Sequence, residues 1–106
     1  MIKIWVDDER NAPATDYIVV KSVYRFFLVL GELSALGITD FLLDLDHDAG
    51  EYAAEGGDYI KILEYLSNNY IAGLKISVKF HSMNPVGVKN MRRIVDNCSW
   101  LVEEKS

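Results

Sequence analysis

Phe41-Leu42-Leu43-Asp44-Leu45-Asp46-His47-Asp48 passes from an apolar run to three carboxylates and an imidazole. The apolar part predicts a buried strand over 41–45, with the polar part emerging at its C-terminal end. Ligand and catalytic groups of α/β domains collect at such ends, where loops meet beside the crevice at which the strand order reverses. The stretch therefore sets two expectations together: a mostly parallel sheet, and a site on its C-terminal edge.

Working outward, Ile2-Lys3-Ile4-Trp5-Val6 alternates and runs into Asp7-Asp8-Glu9-Arg10, a first strand delivering acids to the same edge. Residues 11–16 read as a loop around Pro13, and Tyr17-Ile18-Val19-Val20 as a short second strand. Ser22 suits the N-cap of a helix reaching about Leu36, Gly37 suits its end, and Phe26, Val29, Leu33 and Leu36 form its expected buried stripe. Gly56-Gly57-Asp58 opens a second helix with Tyr59, Leu63, Leu66 and Tyr70 on its core face. Leu74 to Phe80 alternates strictly, and its lysines predict an edge strand. Asn84 and Pro85 predict the cap and first residue of a third helix that turns Val88, Met91, Val95 and Cys98 inward. Strands alternating with helices predict an α/β fold, with a mostly parallel sheet of about four strands flanked by three helices. Residues 1–100 are expected to form one domain and 101–106 a short tail. The link between the first two strands has no helix and is shorter than a parallel crossover usually needs.

At 106 residues, half of them apolar and a quarter charged, the chain has the size and composition of a single globular domain. A net charge of −5 argues against a broad nucleic-acid-binding surface, while leaving a nucleotide or an RNA end as substrate. Asp44, Asp46, Asp48, Glu51, Glu55 and Asp58 fall in a window without Lys or Arg. Such a window repels phosphate unless a cation, a protonated histidine or a helix end intervenes. The lone Cys98 cannot form an internal disulfide, and no apolar run reaches membrane-spanning length or resembles a signal peptide. A cytoplasmic protein without membrane contact is expected.

The two histidines, His47 and His81, both follow predicted strand ends. Facing one phosphate, they would serve as general base and general acid for opening a cyclic phosphodiester, with Asp46 and its neighbours holding a tautomer. The start of the third helix, with Ser82 and Asn84, offers a neutral anion site, and Gly87 would let a ligand approach the backbone. Arg10 either fixes the acids or reaches a substrate phosphate. Asp7, Asp8 and Asp46 could hold Mg²⁺ through carboxylate oxygens. Asp44 shares a face with Asp46 but sits two residues deeper, and is expected to satisfy local backbone.

Trp5-Val6-Asp7-Asp8-Glu9-Arg10, Leu45-Asp46-His47-Asp48-Ala49-Gly50 and His81-Ser82-Met83-Asn84-Pro85-Val86-Gly87 resemble, in order and spacing, the three signature segments of the cyclic-phosphate processing receiver-like domains. The resemblance implies a reduced flavodoxin-like, receiver-like fold. It also implies processing of a cyclic phosphate, on a nucleotide or an RNA 2′,3′-cyclic end, by a phosphoesterase whose distinguishing groups are the histidines. Asp7, Asp8 and Asp46 match the receiver positions that bind Mg²⁺, and Ser82 matches the receiver hydroxyl residue. Two departures from ordinary receivers are expected: no fifth strand ending in a lysine, and a long acidic loop over 51–55 acting as a lid. Phosphoacceptor signalling is therefore disfavoured, and the alternative to an enzyme is a non-catalytic receiver-like binding or regulatory module.

Overall fold

The alternating patterns fold as parallel strands on helices in the computed structural model, which describes residues 1–104. The order is β1 (Ile2–Val6), β2 (Tyr17–Val20), α1 (Val23–Ala35), β3 (Asp40–Leu45), a 3₁₀ turn (Gly50–Ala54), α2 (Ile60–Asn68), β4 (Lys75–Phe80), α3 (Pro85–Asp96) and β5 (Leu101–Glu103). The strands lie in the order β2-β1-β3-β4-β5 and every neighbouring pair is parallel. From β1 the chain moves outward to β2, then crosses back through α1 to β3 on the other side. The strand order therefore reverses between β1 and β3, which places the crevice between their C-terminal ends.

Caps and patterning account for the helices. The Ser22 side chain accepts from the Arg25 amide at the start of α1, the Asn84 side chain accepts from the Gly87 amide at the start of α3, and Pro85 fills the first helical position. Gly37 takes φ +79° just beyond α1, the left-handed conformation that the helix stop requires. Ile4, Val6, Phe41, Leu43, Leu45, Ile76 and Val78 of the sheet join Phe26, Leu63, Leu66, Met91 and Val95 of the three helices in one buried cluster. Because strand residues alternate between faces, that cluster uses one face only. Trp5, Leu42 and Asp44 are buried on the opposite face, where side chains rather than a helix cover them among the described residues.

Four expectations change. Leu101–Glu103 pairs with β4 as a fifth strand, so β4 is an interior strand and its lysines do not mark an edge. The segment expected as a tail thus completes the sheet, while Lys105 and Ser106 lie outside the described residues. Leu36 and Tyr70 are exposed because α1 and α2 end before them, and Val23 and Leu30 take the buried stripe of α1 with Phe26. The acidic segment after β3 is a 3₁₀ turn rather than an open lid: the Tyr24 amide donates to the Glu55 carbonyl, and Tyr52 and Ala53 pack on the core. The short β1–β2 link works as a parallel connection because it folds back on its own strand, the Trp5 indole donating to the Arg10 carbonyl at 2.9 Å.

Candidate active site

The sheet ladder extends past the strand ends and gathers three loops at one edge. The Asp7 amide donates to the Val20 carbonyl, the Asp46 amide to Val6 and the His81 amide to Leu45. Asp7 is fully buried, and its Oδ1 accepts from the amides of Glu9 (2.8 Å) and Arg10 (2.9 Å), which curls the loop so that Asp8 and Arg10 border an open cleft. Burial pushes the Asp7 carboxyl up, but those two amides and His81 outweigh it and hold the group below its ordinary range.

His81 projects onto the helix-free face. Its ring lies parallel on Trp5, with 3.7 Å between centroids and 4° between planes. Nδ1 is 2.7 Å from Asp44 Oδ1, and Nε2 is 2.8 Å from Asp7 Oδ2. Both ring nitrogens therefore lie within hydrogen-bond distance of a buried aspartate. Asp44, expected to satisfy local backbone, is instead the buried partner of an imidazole 37 residues away. The Arg10 guanidinium donates to the His81 carbonyl at 2.9 Å and approaches Asp7 Oδ2 at 3.7 Å, tying the first and third signature loops together.

His47 lies on the other side of the edge, against α3. A methyl on Gly87 would come within 2.6 Å of His47 Cδ2, so the room left by this glycine is filled by the imidazole and not kept for a ligand. The Gly87 amide is likewise committed to the Asn84 cap, which removes Gly87 from the phosphate-binding set expected from sequence. His47 Nδ1 is 2.9 Å from Asp48 Oδ1, and Asn84 Nδ2 donates to Asp48 Oδ2 at 3.3 Å. The hydrogen bond with His47 lowers the Asp48 carboxyl below its ordinary range, with Asn84 helping against a smaller opposing effect of burial. The two histidines therefore have separate partners and separate surroundings.

The cleft between these loops has a volume of about 410 Å³ and is lined by Asp8, Glu9, Arg10, Asp46, Asp48, Gly50, Ser82, Met83 and Asn84. Of the residues singled out from sequence it collects Asp8, Arg10, Asp46, Ser82 and Asn84, while His47 reaches it through Asp48 and His81 through Arg10 and Asp7. Residues 2–97 match the family model of the cyclic-phosphate processing Receiver domain. The chain belongs to that family. No curated protein and no solved structure matches the chain. In this member of the cyclic-phosphate processing receiver family, β5 lies beyond the matched segment.

Carboxylate oxygens of Asp7, Asp8 and Asp46 approach within 4.8 Å of one another, a grouping that suits one divalent cation. The three are not equivalent. Both Asp7 oxygens already have hydrogen-bond partners, and Asp46 Oδ1 accepts from the His47 amide at 2.7 Å. Asp8 and the second oxygen of Asp46 face the cleft with no hydrogen bond among the described residues, and they fit a hard cation best. Gly50, at φ +56°, is required beside them, because a methyl there would collide with the Asp8 carboxylate.

Sequence reasoning placed Asp48 on this edge beside His47 but missed Trp5 and Asp44 as members of the arrangement. Asp44 and Trp5 carried a weaker signal: both fall by alternation on the face that the residue after Phe80 also occupies.

Proposed function

We propose that this protein is a phosphoesterase that opens a cyclic phosphate, on a nucleotide or an RNA 2′,3′-cyclic end, within the cleft at the strand-order reversal. The observation that carries the reading is the convergence of Asp8, Asp46, the Asp48–His47 pair, Arg10, Ser82 and Asn84 on one cleft. Four acids and one arginine line it, so a phosphate would be repelled without a cation. Asp8 and Asp46 would hold Mg²⁺, which would screen the acids and polarise the phosphoryl oxygens. Arg10 and the Ser82 hydroxyl supply donors to the phosphate, and the Asn84 amide holds Asp48 at the rim.

Hydrolysis requires a base for water and an acid for the leaving alkoxide. The Asp48–His47 pair fills both roles by taking the proton of the attacking water as its oxygen bonds to phosphorus. It returns that proton to the ribose oxygen as the old P–O bond breaks. His81 enters as a fixed member of the wall, since both its nitrogens are held by carboxylates. Steady-state hydrolysis of a 2′,3′-cyclic nucleotide by wild type and His47→Ala tests this. A fall of about 100-fold or more is expected, the size of a general acid–base contribution. Full activity in His47→Ala would refute the assignment, and tight binding without turnover by the wild type would favour a binding module.

A further inference from the structure

His81 closes a circuit around Asp7. Trp5 supports its ring from below and, through the indole N–H, grips the Arg10 carbonyl. Arg10 returns a guanidinium hydrogen bond to the His81 carbonyl, and His81 Nε2 meets Asp7 Oδ2. Asp44 fixes the other ring nitrogen from a position that is 3 % exposed. The ring stack on Trp5 and the contacts of His81 with Arg10 and Asp7 tie the loop carrying Asp8 and Arg10 to the loop carrying Ser82 and Asn84, both of which line the cleft.

We propose that His81 is a positioning residue that clamps these loops through Asp7 and withholds Asp7 from the cation. Asp7 keeps its hydrogen bonds, and the cation is held by Asp8 and Asp46. The inference rests on the reading of the cleft as a cation site and assigns its three acids different work. Asp7 is the anchor of the clamp, with its two oxygens committed to the amides of Glu9 and Arg10 and to the His81 ring. Asp8 and Asp46 are the ligands, few in number, so the cation binds weakly by itself and more tightly once a phosphate joins its coordination sphere. Trp5 and Asp44 belong to the clamp and touch neither cation nor substrate.

Titration with Mg²⁺ alone, followed by calorimetry and by Trp5 emission, tests this. Trp100→Phe provides the background, because Trp100 packs edge-on against Tyr70 and its indole N–H has no partner. With Asp7 held in the clamp, Mg²⁺ binding leaves the emission of Trp5, stacked on His81, unchanged. His81→Phe keeps a ring on Trp5 but frees Asp7 Oδ2, and it is expected to bind Mg²⁺ at least about tenfold more tightly, since a competing hydrogen bond to a charged group is removed. Should two unpaired buried carboxylates prevent this variant from folding, His81→Phe with Asp44→Leu removes the array as an apolar pair and carries the same expectation. A change in Trp5 emission at the calorimetric midpoint would show Asp7 giving up His81 and would overturn the proposal. Equal affinity in wild type and variants would overturn it while leaving the cation reading intact, and no binding in any of them would remove both.

Discussion

Gly87→Ala separates the role of His47 from the stability of the fold. Gly87 is buried in the first turn of α3, and a methyl there would place its carbon 2.6 Å from His47 Cδ2, 2.8 Å from Nδ1 and nearer still to Cγ. Ordinary carbon contacts lie at about 3.5–4.0 Å, so the imidazole must retreat by about 1 Å. The helical backbone itself favours alanine by about 1 kcal/mol, against about 1–3 kcal/mol for overpacking. The net loss of stability is therefore small, about 0–2 kcal/mol. Catalysis is less forgiving: a displacement of about 1 Å at a proton-handling group costs about 100-fold in rate. Thermal melting beside steady-state hydrolysis of a 2′,3′-cyclic nucleotide reads both quantities on one sample. Full activity in a normally folded Gly87→Ala protein would refute the reasoning, because the ring would then have moved without consequence.

The same physics predicts opposite outcomes elsewhere. Gly31→Ala in α1 meets nothing within 4 Å, so it should stabilise the protein by about 0.5–1 kcal/mol and raise the melting temperature by a few degrees without touching activity. Gly56→Ala, at φ +110° and with the new carbon 2.8 Å from Val23 Cβ, should lose about 2 kcal/mol or more in chemical denaturation. Tyr59→Phe removes the donor that holds the Lys21 carbonyl at 2.7 Å and should cost about 1–2 kcal/mol by the same measurement. Tyr59 is expected to stay neutral throughout the working pH range, because burial, with Asp8 and the neighbouring acids, pushes its phenol well above the ordinary tyrosine value.

The fold was legible wherever local pattern and core agree. The 41–45 run, the Ser22 and Asn84 caps and the Gly37 stop all lie where the residues predict them, because each depends on neighbours within one or two turns. β5 was not legible: three residues after a helix have no period to read, and pairing with β4 is what makes them a strand. The position of β4 was misread for the same reason, since its lysines fit an edge until Leu101–Glu103 supplies a neighbour. At the site, composition showed that acids and histidines gather on one edge. It could not show that His47 belongs to α3 and Asp48, while His81 belongs to Trp5 and Asp44. That division follows from which face each side chain takes after the sheet twists and the loops close, and Asp44 and His81 find each other only across the β3–β4 ladder.

Phosphorus NMR of a 2′,3′-cyclic nucleotide incubated with the wild-type protein, with Mg²⁺ and then with a chelator, tests the central claim most directly. The cyclic phosphate resonance is expected to give way to a single phosphomonoester while Mg²⁺ is present and to stop doing so once it is removed. A resonance that persists unchanged with folded protein and Mg²⁺ would contradict that claim.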